Sequence, residues 1–184
     1  MKKESRKFIK FFCQRDVKKG FKFIAVFTPI FFFLYLTVPF YIQLIELVYA
    51  QIVTAWLNFS GVKAFIISST EPVQIIMPGI AIQISFLCTG LIELFVLVAA
   101  ILASSGIEWK KRFYGLIGAF DAVVLFNLTR ILLTLNLVQN NNQEITDFAH
   151  NFFFRVFLFI VIVGFYSLWF YWATEGQALR KLKQ

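Results

Sequence analysis

Three side chains in this sequence have the types that nucleophilic chemistry needs, and each stands toward one end of a long apolar run. Cys88 ends "SFLC" at the head of the run 86–103, Arg130 lies in "NLTRI" late in the run 113–137, and His150 immediately precedes the run 152–173. A free thiol has a pKa of about 8.5, and a helix N-terminus with Arg or His⁺ nearby favours its reactive thiolate. His150 has the chemistry of a base toward that thiol and then of an acid toward a leaving amine. Arg130 would hold a carbonyl oxyanion, or a substrate carboxylate or phosphate. Asn127 precedes Arg130 by one helical turn, on the same face, and would orient it. Gly90, just after Cys88, lets another chain approach closely. The chemistry these residues suit is acyl transfer.

Plainer roles compete with this reading. A lone cysteine in an apolar helix is ordinarily a small packing residue, and a histidine at a helix end is ordinarily an interface residue. The only other cysteine, Cys13, lies in the basic N-terminal region. The topology derived below puts it across the membrane from Cys88, so no disulfide is expected. One His and one Cys on one side fall short of the three or four ligands of a metal site, so no metal or other cofactor is expected. Ionisable groups in apolar runs each ask for a reason. Glu93, Asp121, Arg130 and Arg155 are such groups here. Asp121, set deeper than Arg130, suits packing or helix pairing.

The elements that must position these residues are membrane helices. The chain is 59% hydrophobic and 15% charged, where soluble domains carry about 25% charged residues. Four runs, 21–41, 86–103, 113–137 and 152–173, read as transmembrane helices long enough for about 30 Å of hydrocarbon. The net charge of +8 is concentrated in residues 2–22, at 110–112 and at 180–183, while 138–149 holds no Lys or Arg. Basic residues gather on the cytoplasmic side of spans. Both termini and the 104–112 loop are therefore expected inside, and 42–85 and 138–151 outside. This placement of charge leaves no nucleic-acid interface to explain. The basic start and the uninterrupted first run, without a small-residue cleavage site, read as a retained signal anchor.

The expected fold is thus an all-α integral membrane protein of about four transmembrane helices, with a short outer β-hairpin before the cysteine-bearing helix. It forms one multi-pass domain over 1–184, with basic cytoplasmic ends at 1–20 and 174–184. The hairpin is read from "VQIIMPGIAIQI", where Pro78-Gly79 suits the centre of a type II turn and isoleucines alternate on either side. The apolar stretch 42–59 is read as an outer extension of the first helix or an amphipathic interfacial helix showing Gln43, Glu46 and Gln51. A fifth span there would place the later basic clusters outside. Counted from the outer helix ends, Cys88 lies about 3–5 Å deep and Glu93 and Arg130 about 12 Å deep. The Arg130 stem would then climb toward the thiol.

"CTG" opening a span, "NLTRI" late in the next and a His heading the last resemble the exosortase/archaeosortase family of membrane sorting enzymes. The resemblance covers about residues 70–165, and the Ile-rich Pro-Gly hairpin belongs to it. It implies a cysteine protease or transpeptidase with Cys88, Arg130 and His150 as catalytic residues, supported by Asn127, Gly90, Glu93 and Arg155. The implied substrates are exported proteins with a C-terminal motif, membrane helix and basic cluster, cut outside the membrane and passed to an acceptor such as a lipid. Two points depart from the pattern. Many members carry further spans before the Cys helix. The third residue is His in one branch and Arg in the other, so Arg155, about one and a half turns deeper than His150, stands second to it. The rival reading is a non-enzymatic assembly factor or export-complex subunit, with Arg130–Glu93 a structural pair and Cys88 a packing residue. A channel or transporter fits less well, since no inverted repeat is present.

Overall fold

The structure, a computed structural model, describes residues 2–70, 72–139 and 154–181, with side chains over 17–70, 72–138 and 156–175. His150 and the 140–151 segment lie outside the described residues, as do the side chains of Cys13 and Arg155.

Among the described residues five α-helices frame the fold: α1 Lys2–Thr37, α2 Ile42–Phe59, α3 Leu91–Ala103, α4 Trp109–Gln139 and α5 Phe154–Lys181. Among the described residues four helical stretches are long and apolar enough to cross a membrane: Val17–Phe40, Ile42–Phe59, Trp109–Val138 and Val156–Glu175. The expected number is found, but its membership differs. The run 86–103 resolves into a 3-10 turn, Phe86–Cys88, and the 13-residue α3. At 1.5 Å per residue α3 spans only about 20 Å. The shortfall comes from Gly90, whose φ of +73° breaks the chain between turn and helix.

The stretch 42–59 is not an extension of α1. A 3-10 turn at Val38–Phe40, containing Pro39, separates the two helices, because proline withholds the N–H that a continuing helix needs. Nor is Glu46 on a water-facing side. It is buried, and the Val73 N–H donates to its carboxylate over 3.4 Å. Gln43 and Gln51 are exposed as expected, but an apolar stripe, Leu44, Val48, Ile52 and Trp56 at four-residue intervals, is exposed beside them. Helix α2 therefore turns its polar anchor toward the sheet and an apolar stripe toward its surroundings.

The hairpin forms with its expected turn. Met77 faces Ile80 across Pro78-Gly79, and Gly79 has φ +77°, the value the third position of a type II turn requires. A third strand joins it, giving an antiparallel sheet β1 (Phe65–Ile67), β2 (Val73–Met77) and β3 (Ile80–Ile84) in that order. The buried face of the sheet, Val73, Ile75, Met77 and Ile84, packs on Tyr49, Ala50, Val53 and Leu57 of α2 and on Leu135 of α4. Asn58 locks the sheet to α2, accepting from the Ala64 N–H and donating to the Ala64 carbonyl over 2.9 and 3.1 Å.

A second core joins α3, α4 and α5 at the other end of the molecule, around Leu97, Ile101, Val123 and Trp169. There the basic cluster does more than mark topology. Arg112 donates to the Leu102, Ser104 and Ile107 carbonyls at the C-terminal end of α3, where a cation is favoured by the helix dipole. Lys111 donates to the Ala173 carbonyl of α5 over 2.7 Å. Asp121 is exposed on α4 rather than packed between these helices.

Candidate functional site

The site is built where the sheet hands over to α3. After Ile84 the chain makes its 3-10 turn, tied by the Cys88 N–H to the Ser85 carbonyl at 2.8 Å. The Thr89 hydroxyl closes the turn on the Phe86 carbonyl at 2.7 Å. Cys88 thus does not open the α-helix, as its place in the sequence suggests. It sits on a separate short turn, and Gly90 is the N-cap of α3. The thiol stays at the helix N-terminus but ahead of its first turn.

The conformation of Gly90 is enforced from outside. A Cβ there would run into the Asn127 amide and lie 2.9 Å from Val123 Cγ1. Asn127 is fully buried, its amide N–H₂ donating to the Val123 carbonyl over 2.9 Å. Asn127 thus seats α3 against α4 rather than touching the thiol. Alanine at 90 would combine a left-handed backbone with that clash, each costing about 1 kcal/mol or more. Gly90→Ala is therefore expected to lower the amount of folded protein in membranes severalfold, measured by detergent-solubilised yield and melting.

This packing also fixes relative depth. Helices α3 and α4 run antiparallel, with Gly90 level with Val123 and Asn127. Arg130, about 4.5 Å further along α4, is then level with Cys88 without any climb. The equal-depth count from helix ends misplaced it because α4 continues 12 residues beyond Asn127, to Gln139. Those extra turns, about 18 Å, pack on the sheet instead of on α3.

Cys88 is half-buried and Arg130 only 8% exposed. They line two cavities together. One, of about 520 Å³, is walled by Ser85, Leu87, Glu93 and the α5 residues Leu158, Phe159 and Ile162. The other, of about 100 Å³, lies between β3 and the α4 residues Ile131, Thr134 and Leu135. Glu93, in the first turn of α3, is close enough for the Arg130 charge to act on it. Three of the residues singled out in the sequence, Cys88, Glu93 and Arg130, are therefore brought together. Asn127 and Gly90 form the joint beneath them. His150 is outside the described residues, and Arg155 is placed by its backbone alone, in the first turn of α5.

A model of the transmembrane exosortase family matches residues 17–170. The chain belongs to that family. It is a multi-pass membrane protein of the exosortase type, and the match runs through the turn bearing Cys88, the Asn127–Arg130 segment and His150. No curated protein and no solved structure matches this exosortase.

One residue of the site was not singled out in the sequence. The Ser85 hydroxyl lies 3.6 Å from the Cys88 sulfur, within hydrogen-bonding range of a thiol or thiolate. The signal was its position three residues before the cysteine, the separation that a 3-10 turn eclipses. A single hydrogen bond contributes about 0.5–1.5 kcal/mol, so Ser85→Ala is expected to slow a Cys88-dependent reaction by less than about tenfold. Protein level should stay unchanged.

Proposed function

We propose that this exosortase cleaves C-terminal sorting signals of exported proteins through a thioester on Cys88. The reading is carried by one observation: Cys88 and Arg130, from different elements, line the same two cavities. The Cys88 thiolate attacks the scissile carbonyl carbon, and the developing oxyanion is held by the Arg130 guanidinium. Collapse breaks the C–N bond, and the leaving amine takes the proton that the thiol gave up, shuttled by His150. An acceptor nucleophile then attacks the thioester, breaks the C–S bond and returns a proton to the thiolate. Water as acceptor gives proteolysis; the hydroxyl or amine of a membrane lipid gives anchoring.

In this reading α1, α3, α4 and α5 cross the membrane, both termini are cytoplasmic, and α2 lies on the outer side under the sheet with its apolar stripe in lipid. The charge distribution supports the orientation, and the burial of α2 against the strands supports its place. The substrate end is a short motif, a membrane helix and a basic cluster, which would set the motif at the level of Cys88.

The deciding experiment co-expresses this chain with a tagged protein of the same genome that ends in such a signal. A shortened product that requires the exosortase is the expected result; an unshortened substrate at normal expression removes the reading. Orientation is read separately, in a Cys13→Ser background, with a thiol reagent that cannot cross membranes. Intact cells should label at Cys88, whereas labelling only after lysis would reverse the topology.

A further inference from the structure

We propose that the free edge of β3 is the docking site for the substrate. The extended segment just ahead of the scissile bond adds to the sheet as a fourth strand, parallel to β3, and delivers its carbonyl to Cys88. This rests on the reading of Cys88 as nucleophile and names how the peptide reaches it.

The sheet order leaves β3 bonded on one side only. Its register shows which groups face the open side. Met77 and Ile80 flank a two-residue turn and exchange hydrogen bonds, as do Ile75 with Ile82 and Val73 with Ile84. The N–H and C=O groups of Ala81 and Gln83 therefore point away from β2. Among the described residues nothing bonds to them.

Sheet edges are usually blunted by charge, proline or a bulge. The strand "IAIQI" carries no charge and no proline, and its pairing with β2 runs without interruption. It faces a groove rather than open surroundings. Ile82, Gln83 and Ile84 form one wall, Ile131 and Leu135 of α4 the other, and Cys88 and Arg130 line it as well. A peptide suits this place better than a lipid chain, because main-chain groups satisfy an edge whatever the side chains, and alternate side chains enter the pocket. Direction follows from connectivity. Strand β3 runs toward Cys88 and then into α3, just as the substrate runs through its scissile bond into its own membrane helix. Two chains converging on one thiol and entering the membrane alongside each other are parallel.

Cross-linking tests this without turnover. In a Cys88→Ala, Cys13→Ser chain, single cysteines replace Gln83 or Ala81. The co-expressed tagged substrate carries single cysteines stepped along the segment before its membrane helix, and a short bis-maleimide joins them. The expected pattern alternates with a period of two. Moving the probe from 83 to 81 should shift the best partner two residues toward the substrate N-terminus. A shift the other way, no alternation, or cross-linking no stronger than from a cysteine at exposed-loop Lys63 would overturn the proposal. Separately, Ala81→Pro deletes one outward N–H while leaving the β2–β3 ladder intact. Processing should fall at least tenfold at unchanged protein level; unchanged processing overturns the docking. A wild-type chain that fails to shorten the substrate counts against the thioester chemistry alone, because the cross-link pattern is read without it.

Discussion

Cys88→Ala is expected to abolish processing, by a factor on the order of 10³ or more, with protein level near that of the wild type. Nothing else within the two cavities can replace the sulfur. The Ser85 hydroxyl lies 3.6 Å from the sulfur, and the Thr89 and Thr134 hydroxyls are spent on the Phe86 and Arg130 carbonyls. Cys88→Ser retains the shape but not the ionisation, since a hydroxyl in this setting has only a weak path to its anion. It should be as inactive as alanine on the processing time scale. Packing makes the experiment clean, because Cys88 is half-buried at the margin of the sheet-side core rather than within it. A small residue in its place removes few contacts. Processing that persisted in both variants would reduce Cys88 to a packing residue and leave the assembly-factor reading standing.

The second large effect is at Arg130. Many cysteine and serine hydrolases use main-chain N–H groups near the nucleophile to hold the oxyanion. Here the Cys88 and Thr89 amides are already committed, to Ser85 and Phe86 carbonyls at 2.8 and 3.2 Å. The Arg130 guanidinium, which lines both cavities with the thiol, is the donor this reading assigns to the oxyanion. Removing one preorganised oxyanion donor costs about 10²–10³ in rate, and Arg130→Gln is expected to lose at least that much. Arg130→Lys keeps the charge but not the planar fork, so its activity should lie between the two. A structural explanation is separable. If Arg130 only balanced Glu93, then Glu93→Gln combined with Arg130→Gln would remove both charges and restore activity together with protein level. The expected result is restored level with processing still lost, checked by quantifying product per unit of enzyme in membranes.

What could be read from the sequence was what local physics decides. Pro78-Gly79 and its alternating isoleucines determine a turn and register without outside help, and the structure has both. The charge of 110–112 marked the inner side of the chain, and Arg112 is now seen bonding carbonyls at the end of α3. Strand β1 could not be read. A three-residue "FII" has no period of its own and becomes a strand only because β2 offers an edge. Glu46 misled because a carboxylate in an apolar helix reads as a water-facing residue, whereas a backbone N–H from Val73, distant in sequence, holds it inside. The depth of Arg130 required knowing that α3 and α4 start from different levels. That depends on Asn127 seating against Gly90, a tertiary contact with no trace in spacing. Ser85 was hidden for a related reason: its importance lies in a turn geometry, not in a motif.

The short α3 has a consequence for what this membrane protein can accept. Below Gly90 the helix runs only 13 residues, about 20 Å, before the chain turns at the far side. Any anchor helix crossing beside α3, with its scissile bond held at the thiol, is gauged by the same length. Four added residues would lift that bond by about 6 Å, further than a thiolate can follow on a turn pinned at both ends. The turn bearing Cys88 thus acts as the zero mark of a ruler, and α3 as its scale. Selection among membrane proteins would then depend on how far from the opposite face a peptide bond stands, as well as on what surrounds it.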